Sequence, residues 1–288
     1  MATNRKLRAA FLSIGSNSLL IAMKLFVGLT SGSISILSEA AHSGADLLAA
    51  LIAAISLKIS AKPADKSHPY GHGKFENVSG VIEGLLIFAA AAFIIVESAE
   101  KIAHPGDFRV THAAIIVMAA SAVINFFVSR HLYKVAKEED SIALEADALH
   151  LKTDVYTSAG VALGLLTMRF TGIHLLDPIV AIAVAMLILR EAWHLCCSAF
   201  SPLLDSSLPE DEETAILNLL EEHVTGDFRF CHLRTRKSGP NRFVDFHAQI
   251  KPSMPVKKAN EITRHLQEEI ENLVPNVHVH VNVEPMDD

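Results

Sequence analysis

Cysteine is nearly missing from this chain: Cys196, Cys197 and Cys231 are the only three in 288 residues, and none stands in a CxxC pair. A disulfide framework is therefore not expected, which fits a reducing compartment for the C-terminal part. No HExxH occurs, which removes the usual motif of a zinc hydrolase. Charge is sparse as well. Only 20% of residues are charged against 50% hydrophobic, and the mean hydropathy is +0.32. Such a chain is too apolar for an ordinary soluble domain and points to membrane spans. Basic excess is absent: the net charge is −7 and the pI about 6.1, so nothing favours a nucleic-acid partner. Met1 to Arg8 are polar and lack a small-residue cleavage site, so the first apolar stretch is expected to be a retained span, not a removed leader.

The long apolar runs lie in residues 1–204, while residues 205–288 are charged enough for a water-soluble domain of 84 residues with its own small core. A helix needs roughly 20 apolar residues to cross a bilayer. Six stretches meet this, over about 9–30, 33–58, 79–101, 112–134, 142–168 and 175–200. The expected fold class is thus an α-helical membrane protein with six transmembrane helices, followed by a small cytoplasmic α+β domain. Ser31-Gly32-Ser33 should turn the first two spans into a hairpin, and His104-Pro105-Gly106-Asp107 should separate the third from the fourth. Asp177-Pro178 opens the sixth as a cap followed by a first-turn proline.

The lysine and arginine bias sets the orientation. With the N-terminus inside, the inner side holds ten: Arg5, Lys6, Arg8, Lys58, Lys62, Lys66, Lys74, Arg130, Lys134 and Lys137. The outer side holds three, Lys101, Arg109 and Arg169. Both termini then face the cytoplasm. The tail has the pattern helix, strand, strand, helix, strand. Pro209 and the acids after it start a helix; residues 228–237 and 242–251 alternate about a turn at Ser238-Gly239-Pro240-Asn241; residues 256–273 have helical spacing; Val277 to Glu284 alternates strictly.

Ionisable groups inside spans are costly, so each is a functional candidate. Span two contains His42-x-x-x-Asp46 and span five His150-x-x-x-Asp154. The i,i+4 spacing puts both side chains of a pair on one helix face. Two such faces brought together make a tetrahedral set of two imidazoles and two carboxylates, suited to zinc. His42 lies about 9 residues from the outer end of its span and His150 about 8 from the inner end of its own, so both sit roughly 12–14 Å deep, near the bilayer middle. The linker carries Asp65, His68 and His72, which could converge on a metal at the cytoplasmic surface, or simply form a polar loop. Asn17 and Lys24 share a face of span one and either line the pathway or bridge helices, packing being the favoured role, and Gly44 and Gly160 are expected to allow close helix contact.

The stretch His68-Pro69-Tyr70-Gly71-His72-Gly73-Lys74-Phe75-Glu76, the paired HxxxD helices and the tail pattern together closely resemble the cation diffusion facilitator family, over almost the whole chain. The resemblance implies proton-coupled efflux of divalent transition-metal cations, Zn2+ first, by a secondary transporter rather than an enzyme. It implies that His42, Asp46, His150 and Asp154 form the transport site, and that Asp65, His68 and His72 match a second metal site. Lys74 and Asp205 match a charge pair that holds the two halves of a homodimer together. His232 and His247 match two metal ligands of the tail. The chain departs from the pattern at Asn260 and Asn282, where zinc-binding relatives often have histidines, and at Glu284, where an aspartate is found. Asparagine is a weak zinc ligand; Asp245, His278 or His280 are candidate substitutes, since His280, Asn282 and Glu284 share one strand face. The implied partners are divalent metal ions, protons, the lipid bilayer and a second copy of the chain, with no organic cofactor, in a bacterial inner membrane. Efflux of Fe2+, Co2+, Ni2+ or Cd2+ by the same mechanism stays open, as does a membrane-anchored metal sensor.

Overall fold

The computed structural model describes residues 2–31, 34–103, 112–171 and 175–286. It divides into two compact units, Met1–Phe200 and Ser201–Asp288. The residues proposed above to break the first and second spans (Gly32 and Ser33) and the third and fourth (His104 to Asp107) lie outside the described residues.

The first unit consists of helices α1 (Ala2–Ser31), α2 (Ile34–Ser60), α3 (Lys74–Ala103), α4 (His112–Glu138), α5 (Ile142–Thr171) and α6 (Leu176–Phe200). Its packing gives small residues more of the interior, and large apolar ones more of the surface, than a soluble core does. Small residues are buried, among them Ala10, Ala49, Ala50, Ala53, Ala91, Ala146 and Ala192, whereas Phe11, Phe26, Leu29, Phe93, Phe127 and Trp193 are exposed. Lipid tails solvate large apolar groups, so helix association relies on small residues that let backbones approach closely. Gly160 serves this purpose: a Cβ there would stand 2.9 Å from Val184 Cγ2. Gly44 does not, since a Cβ there would meet nothing within 4 Å. That part of the sequence expectation is corrected, because its face of α2 is not pressed against a neighbour.

Among the described residues, five helices are long and apolar enough to cross a membrane, and α5 is not one of them. Its Glu145, Asp147, Lys152 and Asp154 dilute the apolar run. Its N-terminal part is nonetheless enclosed: Ala143, Leu144, Ala146, Ala148 and Leu151 are buried against α1, α2, α3 and α4.

One end of this unit is tied by charge. Lys6 Nζ meets Glu76 Oε1 at 2.9 Å, with side-chain exposures of only 9% and 3%. Ser60 and Ser141 donate hydroxyl hydrogen bonds to the same carboxylate. Arg5 reaches Glu138 and Glu139. The start of α1 is thereby fastened to the ends of α2 and α4 and the starts of α3 and α5. Removing one partner of a buried pair leaves an uncompensated charge and costs about 3–5 kcal/mol. Lys6→Met is therefore expected to lower the thermal unfolding midpoint of the detergent-solubilised protein; an unchanged midpoint would show that the pair carries no stability.

The second unit begins with a 3-10 turn at Ser201–Leu204 and continues through α7 (Glu210–Glu222), β1 (Phe228–Ser238), β2 (Asn241–Ile250), α8 (Val256–Leu273) and β3 (Val277–Pro285). The sheet order is β1-β2-β3. β1 and β2 pair antiparallel, with Phe228 opposite Ile250, and β2 and β3 pair parallel, with Arg242 opposite Val277. Gly239, at a φ of 58°, makes the tight turn between the first two strands. Alternation along β2 sends Val244, Phe246, Ala248 and Ile250 into a core with Ile216, Leu220, Leu266 and Ile270. The intervening Asp245 and His247 go to the other face.

Candidate metal sites

In α2, His42 and Asp46 stand one helical turn apart, with Nε2 and Oδ1 at 3.9 Å. Helix α5 brings Asp154 Oδ1 to 3.6 Å from His42 Nε2 and His150 Nε2 to 3.0 Å from Asp46 Oδ1. His42, Asp46 and Asp154 offer ligand atoms within 4.8 Å of one another. His150 joins them through Asp46, so a four-ligand set requires this imidazole–carboxylate contact to be exchanged for a shared ion. Asp46 and His150 are buried, and the His42 side chain is half exposed.

Other helices hold the cluster in place. Asn125 of α4 donates from Nδ2 to Asp154 Oδ2 at 3.1 Å. Asn17 of α1 donates to the Asp46 carbonyl at 3.4 Å, and Lys24 donates to Ser43 at 2.7 Å, so both bridge α1 to α2, while Lys24 also borders the cavity beside the cluster. A cavity of about 700 Å³ opens beside the cluster, with His42, Asn125 and Asp154 in its wall. Its other walls come from the C-terminal part of α3, including Phe93 and Ser98, and from the N-terminal halves of α4 and α6, including Met118 and Val184. It lies away from the end closed by Lys6 and Glu76.

The linker residues also converge. His68 Nδ1 and His72 Nε2 lie 3.6 and 3.5 Å from the two oxygens of Asp65. Gly71, at a φ of 83°, turns the chain so that both rings reach one carboxylate. Asp65 Oδ1 accepts hydrogen bonds from the Ser67 hydroxyl and from the backbone N–H groups of Ser67 and His68. The Ser67 hydroxyl first, then the His68 amide, hold the Asp65 carboxyl down at about 2. The folded value lies below the ordinary one, so whatever the ionised carboxylate contributes is complete above the ordinary range and is lost only as pH falls toward 2. Asp65 therefore stays anionic at any physiological pH.

On the outer face of the tail sheet, the His232 and His247 rings lie 5.0 Å apart. A β-bulge between Cys231 and Arg234 puts His232 at a φ of 52°, which re-aims its side chain. His247 Nδ1 lies 2.8 Å from Glu284 Oε1, and Asn282 donates to the same oxygen at 3.2 Å. A cavity of about 320 Å³ is lined by His232, Asp245, His247, His280 and Asn282. Cys231, passed over in the sequence, joins His232 and His247 within 4.8 Å; burial, then the charge of Glu284, push its thiol pKa up. A proximity of that kind becomes visible only once the bulge is known. Asn282 pairs with His247 across β2 and β3. Restoring an imidazole by Asn282→His is expected to tighten zinc binding to the full chain by at least ~1.4 kcal/mol, or tenfold. An unchanged binding isotherm would mean that this face holds no metal.

Lys74 opens α3, and Asp205 follows the 3-10 turn, where its Oδ1 meets Arg236 Nη1 at 3.3 Å.

A bundle of apolar helices with imidazoles and carboxylates converging inside it, joined to a small α+β domain, defines a class: a membrane transporter of cations, not an enzyme. Residues 10–204 match the cation efflux transmembrane domain, and residues 208–286 match the cytoplasmic domain of cation efflux proteins. The chain belongs to the cation diffusion facilitator family, whose members export divalent cations across a membrane. It is 33% identical over 279 residues to an uncharacterised transporter of Synechocystis sp., covering 97% of this chain and 90% of that one. It is 30% identical over 279 residues to the cation-efflux pump FieF of Cronobacter sakazakii, covering 96% and 92%. With FieF of Escherichia fergusonii the identity is 29% over 281 residues, covering 96% and 92%.

Proposed function

We propose that this transporter carries Zn2+ out of the cytoplasm in exchange for protons, by alternating access about a site made of His42, Asp46, His150 and Asp154. The observation that carries this reading is the meeting of two HxxxD helix faces inside the bundle, with His42 Nε2 at 3.6 Å from Asp154 and His150 Nε2 at 3.0 Å from Asp46. Two carboxylates offset the charge of a dication where hydration is lost, and two imidazoles favour zinc over hard ions. Bound metal needs neutral imidazole and ionised carboxylate, so metal and protons compete for the same atoms. Imidazole exchanges protons near neutral pH, which makes His42 and His150 the proton carriers. Protons then displace the ion on the acidic side and return inward on the vacated residues.

With both termini in the cytoplasm of a bacterial inner membrane, the closed end at Lys6 and Glu76 is the inner one. The cavity beside His42 and Asp154 then faces outward, in keeping with an ion-releasing state. In the same reading α5 spans the membrane as the sixth helix, and residues 205–288 form the dimerising domain of a homodimer, with Lys74 and Asp205 as its charge pair. Asp65, His68 and His72 bind a second ion at the inner surface, and the face holding His232, His247, His280 and Glu284 is a weaker metal surface.

Purified protein in proteoliposomes tests this. Zn2+ supplied on one side is expected to draw protons out of the other compartment toward it, more strongly than Mn2+ does. Zinc movement that ignores a proton gradient would replace the exchanger with a channel. Stronger flux for Fe2+, Co2+, Ni2+ or Cd2+ would change the cargo and leave the mechanism standing.

A further inference from the structure

A fourth histidine cluster lies on the helical side of the tail, away from the sheet face that carries His232 and His247. His223 caps the C-terminus of α7. His265 and Glu269 stand one turn apart on α8. His223 Nε2 is 3.1 Å from Glu269 Oε2, and His265 Nε2 is 3.3 Å from Glu269 Oε1. The two rings are 5.9 Å apart, and all three residues offer ligand atoms within 4.8 Å of one another.

The hydrogen bonding of His223 shows what this arrangement needs. Its Nδ1 lies 2.9 Å from the Leu219 carbonyl. A carbonyl can only accept, so Nδ1 carries the hydrogen and Nε2 is the nitrogen left to act. A bare Nε2 lone pair facing a carboxylate oxygen at 3.1 Å is repulsive. The contact becomes favourable only when a positive species lies between them, either a proton or a metal ion. An imidazole whose other nitrogen donates to a backbone carbonyl has the orientation typical of metal-ligating histidines.

The frame around the cluster is rigid. Leu220, Leu266 and Ile270 are fully buried in the tail core and fix both helices beside the three side chains. The ligands themselves remain within reach of solvent, at 30% for His223, 61% for His265 and 34% for Glu269. The electrostatics favour a cation. The C-terminal carbonyls of α7 point toward His223. Residues 205–288 hold 16 of the 32 acidic and 9 of the 25 basic residues, so the whole net charge of −7 resides in this domain.

We propose that His223, His265 and Glu269 bind a divalent transition-metal ion, which fastens the end of α7 to α8. Two imidazoles and one carboxylate suit Zn2+, Co2+ or Ni2+ rather than Mg2+ or Ca2+. Three protein ligands leave a fourth position for water. The ion sits between the two imidazoles and Glu269, so the tail gains a metal-dependent brace between its helices. This site stands apart from the transport-site assignment and does not depend on it.

Hydrogen exchange on the full chain in detergent, with free Zn2+ buffered in the micromolar range, tests the proposal. The amides of residues 219–225 and 262–272 are the ones to follow. Zinc is expected to slow their exchange, by about 100-fold once free metal reaches a hundred times the Kd. The slowing should disappear in both His265→Ala and Glu269→Gln, while the linker peptide over 65–72 still responds to zinc. It should persist in Asp154→Ala, which separates this site from the transport site. The proposal fails if zinc leaves these amides unchanged, if protection survives in both tail variants, or if Mg2+ protects equally, since that would be charge screening.

Discussion

Asp154→Ala stops zinc flux while the protein still folds and inserts. The side chain supplies one oxygen 3.6 Å from His42 Nε2 and half of the negative charge available to a dication at this cluster. Taking away one partner from a poorly hydrated ionic set costs about 3–5 kcal/mol, which is roughly 100- to 4000-fold in affinity. The fold tolerates the loss because Asp154 borders the cavity, where water can reach the Asn125 amide it leaves behind. Zinc uptake by proteoliposomes, with size-exclusion chromatography as the check on folding, is the measurement. Near-normal flux from a well-folded variant would remove Asp154 from the site.

His42→Asp gives a different result, a transporter that works but chooses less well. The imidazole of His42 lies 3.9 Å from Asp46 and 3.6 Å from Asp154. Replacing it leaves one nitrogen ligand and three carboxylates. Harder ligands weaken the preference for zinc, so Cd2+, Fe2+ and Mn2+ should enter the accepted set. Three like charges in one small volume also favour proton uptake over the bare anion. Protons then compete better with metal, and the pH range of good transport should move upward. The readout is uptake of each ion across a range of pH, in vesicles holding the parent or the variant. Unchanged selectivity together with an unchanged pH profile would exclude His42 as a ligand.

The features most legible in the sequence were the periodic ones. Helix α8 was expected over residues 256–273 and is found at Val256–Leu273, because Ile262, Leu266 and Ile270 mark its buried stripe and Pro255 marks its start. The HxxxD pairs were visible because i,i+4 spacing survives in any helix. Span limits were less visible. The third span was expected from residue 79, whereas α3 starts at Lys74. Hydropathy reports where a helix is apolar, and here the first turn holds Glu76, paired with Lys6. Contacts between sequence-remote polar residues left no pattern at all. A lone asparagine in α4 does not announce that it will meet Asp154, 29 residues away. Nor do His223 and His265, 42 positions apart in number, announce a shared carboxylate. Glu83 and Asp147 were passed over for the same reason. Both are fully buried, and their hydroxyl partners Ser79 and Ser13 are known only from the folded bundle.

The composition of α5 also bears on how the chain enters a bilayer. A charged residue near the middle of an inserting helix costs about 2.5–3.5 kcal/mol, and α5 carries Lys152 and Asp154 toward its centre and Asp147 in its second turn. Alone it would favour the aqueous side of the insertion machinery. It needs α4 beside it, supplying the Asn125 amide for Asp154, and α1, supplying the Ser13 hydroxyl for Asp147. Biogenesis and ion binding therefore draw on overlapping side chains. A substitution that let α5 insert more readily, by removing Asp154, would do so by deleting a group proposed above to receive the ion.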